Sequence, residues 1–171
     1  MSATPEHALP DLLRAPAPLR LEEFFAGRCR AWGIVEDRFG ILRERFQVVV
    51  RGDWDPVRCR LALTEDFVYA DGRRESRIWR LDKLNDTLYR GYSDGVLGYA
   101  EIRRQGSAVR LRYRMRVPIA GQSLSLVFDD RMYRQDDGLI LNRVALRKFG
   151  LLLATITICF QREAGGGRAG A

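Results

Sequence analysis

Histidine is nearly missing from this chain. The one histidine among 171 residues is His7, in a stretch rich in proline and alanine. A Ser-His-Asp or Cys-His pair needs a structured histidine as its base, so that catalysis has no foundation here. Zinc and non-haem iron sites built on imidazole lose their ligands for the same reason. Lysine is almost as scarce: Lys83 and Lys148 are the only two, so arginine carries nearly all of the net charge of +7. The three cysteines, Cys29, Cys59 and Cys159, are odd in number and match no metal or redox spacing. They are expected to act as small buried apolar residues in strands, in a reducing compartment, with one disulfide left open. No glycine-rich phosphate loop is present. The longest apolar run, Leu151 to Phe160, falls short of a bilayer span, and its β-branched alternation suits a strand. Residues 1–18 contain no basic start, apolar core and cleavage site in series, which leads to the expectation of a cytoplasmic protein, with peripheral membrane contact left open.

What the chain does have is alternation. From Val109 to Val117 every odd position is apolar and every even position is arginine: Arg110, Arg112, Arg114 and Arg116. That period of two puts one face in a core and the other in water. Similar segments recur from about residue 29 to residue 161, cut by Asp37-Arg38-Phe39-Gly40, Gly52-Asp53-Trp54-Asp55-Pro56, Asp71-Gly72, Asn85-Asp86, Asp94-Gly95, Gly106, Pro118 to Gly121, Asp136-Asp137-Gly138 and Gly150. Before them, Arg20 to Gly27 reads as a short helix whose Leu21, Phe24 and Phe25 could close one barrel end. Consecutive strands with short turns and no helical crossovers imply sequential antiparallel pairing. Long strands with one apolar face favour closure, because a closed sheet has no exposed edge. The predicted fold is all-β: an up-and-down antiparallel barrel of about ten strands with a short N-terminal helix, ahead of a two-sheet sandwich. The predicted organisation is a mobile tail over 1–18, one barrel domain over 19–162 and a disordered tail over 163–171.

Several segments, in order, resemble the bacterial domain-of-unknown-function family 3833, which is lipocalin-like. They are Leu21 to Gly27, Ala31 to Arg38, Glu65 to Gly72, Phe128 to Tyr133 and Leu141 to Arg143. The resemblance covers roughly residues 21–162 and implies a lipocalin-like (calycin) barrel and no activity. Many chains resembling this family begin with a secretory leader and a lipid-modified cysteine, whereas no cysteine precedes Cys29 here. Gly52-Asp53-Trp54 matches the Gly-x-Trp of lipocalins but follows the second strand rather than sitting on the first, and is read as coincidence.

Three constellations carry candidate chemistry. Alternation places Glu65 on a face with Val57, Cys59, Leu61, Leu63, Phe67 and Tyr69. It places Asp130 with Leu124, Leu126, Phe128 and Met132, Asn142 with Ile140, Val144 and Leu146, and Glu44 with Leu42, Phe46, Val48 and Val50. An inward carboxylate must be paired, hydrated or protonated. Glu65, Asp130 and Asn142 could orient a ligand's polar end, or pair with inward arginines, with Arg77, Arg90 and Arg143 as candidates. The second constellation is the arginine stripe, suited to phosphates or lipid head groups, to neighbouring acids such as Glu101, or to plain solvation. No exposed aromatic series flanks it, so a nucleic-acid platform is not expected. The third is the aromatic set of Trp32, Trp54, Trp79, Tyr69, Tyr89, Tyr92, Tyr99, Tyr113 and Tyr133, fit for core filling or for an apolar ligand.

The leading expectation is a monomeric, non-enzymatic barrel without cofactor or metal, holding a hydrophobic or amphipathic small molecule. Phe67, Tyr69, Tyr113, Met115, Leu126 and Phe128 would form its walls, and Glu65, Asp130 and Asn142 its polar contacts. One alternative is a barrel enzyme using Glu65 and Asp130 for acid–base or cyclase-type chemistry. Another is a membrane- or protein-associated scaffold acting through the arginine stripe on an anionic surface.

Overall fold

The alternating segments become strands of one closed sheet. The computed structural model describes residues 16–163; the remainder of the two expected tails, including His7, lies outside the described residues. A short helix, α1 (Leu21–Phe25), precedes ten strands: β1 (Gly27–Asp37), β2 (Leu42–Asp55), β3 (Arg60–Tyr69), β4 (Arg74–Lys83), β5 (Leu88–Ser93), β6 (Ala100–Gln105), β7 (Ala108–Ile119), β8 (Gln122–Arg134), β9 (Leu139–Lys148) and β10 (Leu151–Arg162). Each strand pairs antiparallel with its neighbours in sequence. β1 also pairs with β10, from Cys29 opposite Arg162 to Asp37 opposite Ala154, which closes the barrel. In β7 the alternation is realised in full: Val109, Leu111, Tyr113 and Met115 are buried inside while the four arginines lie outside.

Up-and-down topology gives the barrel two different ends. The hairpins β1–β2, β3–β4, β5–β6, β7–β8 and β9–β10 share one rim, and α1, which leads directly into β1, sits at the other. There Leu19, Leu21, Phe24 and Phe25 join Val50, Leu61, Leu81, Tyr89, Ile102, Val109, Ile140 and Phe160 in a fully packed core. Phe25 meets Phe160 edge to face, with ring centroids 5.5 Å apart. Backbone contacts hold the entry to the helix. The Leu19 N–H donates to the Gly106 carbonyl at 3.0 Å, and the Pro18 carbonyl accepts from Arg134 at 3.0 Å.

The plug also carries a buried polar clamp. Glu22 lies in the core and accepts from the Lys83 ammonium at 2.5 Å and from the Tyr89 hydroxyl at 2.6 Å. Burial raises its carboxyl, but the hydrogen bonds from Lys83 and Tyr89 outweigh that and hold it below the usual carboxylate range.

Several local expectations are corrected. Gly52 to Asp55 do not break the chain but form the end of β2, opposite Leu63 to Arg60. A side chain at Gly52 would place its Cβ 1.9 Å from the Phe25 carbonyl oxygen, so glycine there lets the plug lie directly on the sheet. Val57 and Cys59 do not point inward. Asp55 accepts from the N–H groups of Val57 and Arg58 and folds 56–59 into a turn, leaving Val57 and Cys59 exposed and Cys59 at positive φ. Cys29 is buried, Cys159 is half-buried, and all three thiols are free. Leu42 is exposed because the register of β1 against β2 slips between Val35 and Glu36. The segment after the Asp94-Gly95 turn does not form its strand until Ala100; Val96 instead bridges to Met115.

Gly52→Ala is expected to destabilise the protein by about 2–3 kcal/mol, because the added methyl meets backbone rather than a movable side chain. Urea unfolding monitored by tryptophan fluorescence checks this.

Candidate functional site

Away from the plug the interior changes character. Inward residues near the open rim keep partial exposure: Val35, Val117, Leu124, Leu146, Leu153, Ile156, Ile158, Phe67 and Tyr69 all pack on the core while remaining only partly buried. Inward side chains of a closed barrel meet solvent only if solvent enters the lumen. The barrel is thus filled at the helix end and open at the hairpin end.

Polar groups gather between these halves. Glu65 faces Arg77 across β3 and β4. Burial pushes the Glu65 carboxyl up to about 7, against the opposing pull of the Arg77 charge and the neighbouring Trp79 N–H. Arg77 resists its own burial because Glu65, Tyr113 and Glu75 favour the charged form; it donates to Glu75 at 3.0 Å and lies over the Phe67 ring. Across the lumen, Asp130 on β8 lies opposite Val144, and Asn142 on β9 lies opposite Met132. Asp130 is 7% exposed and Asn142 3%. Burial drives Asp130 up to about 7; Asn142 pulls it down, while the Glu65 and Asp129 charges push it further up. Tyr113, buried beside Asp130, Arg77 and Glu65, has its hydroxyl held well above its ordinary value by burial first and by Asp130 next. These mutual influences place the five groups around one space.

Two oxygens at this floor are orphaned. Among the described residues, Asp130 Oδ1 and Asn142 Oδ1 are buried without a hydrogen-bond partner. A buried acceptor left without a donor costs about 1–3 kcal/mol, so this pair is a place where a donor is wanted. A proton on Asp130 supplies one such donor; a bound molecule carrying N–H or O–H groups supplies others.

The structure places the nine expected lumen residues on the inner wall, but not equivalently. Glu65, Phe67 and Tyr69 are reached from the open lumen. Tyr113, Met115, Leu126 and Phe128 are buried, and Tyr113 stacks on Phe128 with centroids 4.9 Å apart, so they back the site as packed core. The accessible apolar lining is instead Val35, Val117, Leu124, Leu146, Leu153 and Ile156. Alternation on each strand marks these residues as inward, but the position of the plug decides which end stays open, and periodicity does not encode that. Of the expected inward arginines only Arg77 faces the interior. Arg90 and Arg143 are outside, where Arg90 stacks on Tyr99 at 4.8 Å.

The arginine stripe lies on the outer wall. Arg110 is engaged by Asp129 through two hydrogen bonds of 2.8 and 2.7 Å. Glu101, the expected acidic neighbour, pairs with Arg103 instead. Two surface hollows lie outside the lumen, one along Asp136, Gly138 and Arg162 and the other over Val49, Asp66 and Ser76.

The family model described as "Protein of unknown function (DUF3833)" matches residues 4–162. No curated protein matches the sequence. Solved structures share the fold, and two of them show how closely. An S-type phycobiliprotein lyase, CPES, from Guillardia theta superposes with a TM-score of 0.59 at 11% identity, over 85% of this chain and 94% of that one. A protein of unknown function from the DUF3598 family of Nostoc punctiforme PCC 73102 also gives 0.59, at 9% identity, over 86% of this chain and 50% of that one. At such identities the likeness is one of fold.

Proposed function

The chain belongs to the DUF3833 family of proteins of unknown function, and from the lumen its barrel carries we propose that it binds an amphipathic small molecule. The apolar body of that molecule lies along Val35, Val117, Leu124, Leu146 and Ile156, and its polar end reaches the floor. The observation that carries this reading is the pair of orphaned oxygens on Asp130 and Asn142 beneath an apolar, solvent-entered shaft. Two adjacent acceptors select a ligand end rich in donors: an amine, an amide or paired N–H groups. Glu65 and Arg77 add a second polar contact on the opposite wall. A likeness of fold to a phycobiliprotein lyase supports including pigments among the candidates.

Native mass spectrometry of freshly purified protein, followed by a thermal-shift screen of fatty acids, isoprenoids, pigments and long-chain amines, tests the reading. A matching ligand is expected to add about 2.7 kcal/mol at a hundredfold excess over its Kd. Asn142→Leu is expected to weaken that ligand by about tenfold or more and to cost the free protein no more than about 1–3 kcal/mol, since it removes an orphaned acceptor but also the amide that hydrogen-bonds Asp130. No stabilising compound and no co-purified mass would count against a binding role.

Two carboxyls with raised values around one space also suit acid–base chemistry, which favours an enzyme as the second reading. Recovery of the bound molecule chemically unchanged after prolonged incubation separates the carrier from the enzyme.

A further inference from the structure

The open rim is not an ordinary loop surface. On the closed barrel β2, β1, β10, β9, β8 and β7 are consecutive, so the hairpins β1–β2, β9–β10 and β7–β8 stand side by side along one arc. Their tips carry large apolar residues in water. Phe39 is 73% exposed and Phe149 92%, with Leu151, Ile41, Leu42 and Ile119 beside them. Isolated exposed apolar residues need no explanation, but a contiguous set does.

The backbone adds a second observation. Lys148 pairs with Leu151, so Phe149 and Gly150 form a two-residue turn, and both have positive φ, 51° and 80°. Glycine or asparagine suits such a turn; a bulky aromatic there is strained. Phe149 makes no compensating core contact, because its side chain is in solvent. The hairpin thus holds an unfavourable residue in an unfavourable conformation at its outermost point.

Charge provides the third. The Arg38 guanidinium lies over the Phe39 ring at 4.7 Å and the Lys148 ammonium over the Phe149 ring at 5.4 Å. No acidic residue occurs from Val117 to Leu124 or from Val144 to Ile158, and Asp37 at the neighbouring tip is bound by Arg43 at 2.5 Å. Aromatic tips backed by cations match the boundary of an anionic bilayer, where rings sit at head-group level and cations meet lipid phosphates. Below the arc, the half-open lining of Val35, Ile156, Leu153, Leu146, Leu124 and Val117 comes from five of those six strands, β1, β10, β9, β8 and β7. An apolar track therefore runs from the tips into the lumen.

We propose that the barrel docks mouth-down on anionic membrane, inserting Phe39 and Phe149 with Arg38 and Lys148 at the head groups. This surface differs from the outer-wall stripe and stands whether or not the lumen binds a ligand.

Flotation of the whole chain with vesicles of phosphatidylcholine containing about one-third phosphatidylglycerol, against phosphatidylcholine alone, tests it. The protein is expected to float with the anionic vesicles and to be released by salt. Phe39→Ser with Phe149→Asn is expected to weaken binding about tenfold or more, with unchanged or higher Tm because asparagine suits the turn. Arg38→Gln with Lys148→Gln is expected to weaken it too. The variant with Arg110, Arg112, Arg114 and Arg116 all changed to Gln still floats. Phe149→Trp is expected to show a blue-shifted emission component on adding vesicles. Absence of flotation at low salt overturns the proposal. So does binding that survives the tip variant but is lost with the stripe variant, which would mark the outer wall as the attachment. A rim-dependent dimer in sedimentation velocity that excludes vesicles overturns it in favour of self-association.

Discussion

Glu22→Ala is expected to destabilise the barrel by about 2–4 kcal/mol, because it takes the closest partner from a half-buried ammonium and the acceptor from a buried hydroxyl. Glu22 is held by Lys83 at 2.5 Å and by Tyr89 at 2.6 Å, and Tyr89 has no exposed surface. Removing the carboxylate leaves Lys83, whose side chain is only 17% exposed, with Asp86 alone at 3.6 Å, and leaves a hydroxyl with no route to water. Tyr89→Phe is expected to cost less, about 1–2 kcal/mol, since Lys83 still serves the carboxylate. The direction with pH is also fixed. Glu22 titrates below the value of the unfolded chain, so its contribution is present above about 4.5 and is lost as pH falls through the lower folded value. Chemical denaturation of both variants at neutral pH, and of the parent below pH 5, checks the cost and its sign. A Glu22→Ala protein of parental stability would show that the clamp contributes nothing to docking the plug.

How much of this was legible in the chain differs by level. The barrel was legible because alternation is a local property: Val109 to Val117 reads as a two-faced strand without its neighbours, and short turns leave few ways to pair. The inward polar groups were legible by the same rule, which put Glu65, Asp130 and Asn142 inside, where the structure has them. The rule fails wherever one residue is gained or lost. The Asx turn at Asp55 threw Val57 and Cys59 outward and the slip near Val35 exposed Leu42, whereas Arg143 lies outside as the rule itself requires once Asn142 lies inside. Glu22 was missed altogether. In the sequence it is one of two acids in a short helix, and only the fold brings Lys83 and Tyr89 to it. The open arc of the lumen was missed for a related reason. Whether an inward valine or leucine is core or lining depends on how far the plug fills the barrel, which is a matter of volume across strands.

The acids of the lumen should make the protein less stable as pH rises. Glu65 and Asp130 both have folded values of about 7, against 4.5 and 3.8 for ordinary glutamate and aspartate side chains in water. The folded state therefore binds more protons than the unfolded chain between about pH 4 and 7, and stability falls with pH across that window. Their favourable contribution is complete below the unfolded values, declines as pH rises, and is gone above the folded ones. A tenfold gain in proton affinity on folding corresponds to about 1.4 kcal/mol, but the two acids raise each other and titrate as a pair, so the loss is on the order of a few kcal/mol and smaller than the sum for two independent acids. Because the Glu22 clamp weakens at the acid end, the maximum is expected near pH 4, at the lower edge of that window. Replacing Glu65 with Gln and Asp130 with Asn together should flatten the decline above pH 5 and leave the double variant more stable than the parent at pH 8. A ligand that donates to Asp130 should do the same by another route: it favours the ionised carboxylate, so its affinity should rise with pH as the lumen empties of protons. Denaturant midpoints from pH 4 to 8, with and without ligand, measure both effects. A parent protein whose stability is flat across that range would mean that Glu65 and Asp130 are already ionised and solvated, and the floor of the lumen would then be wet rather than waiting for a donor.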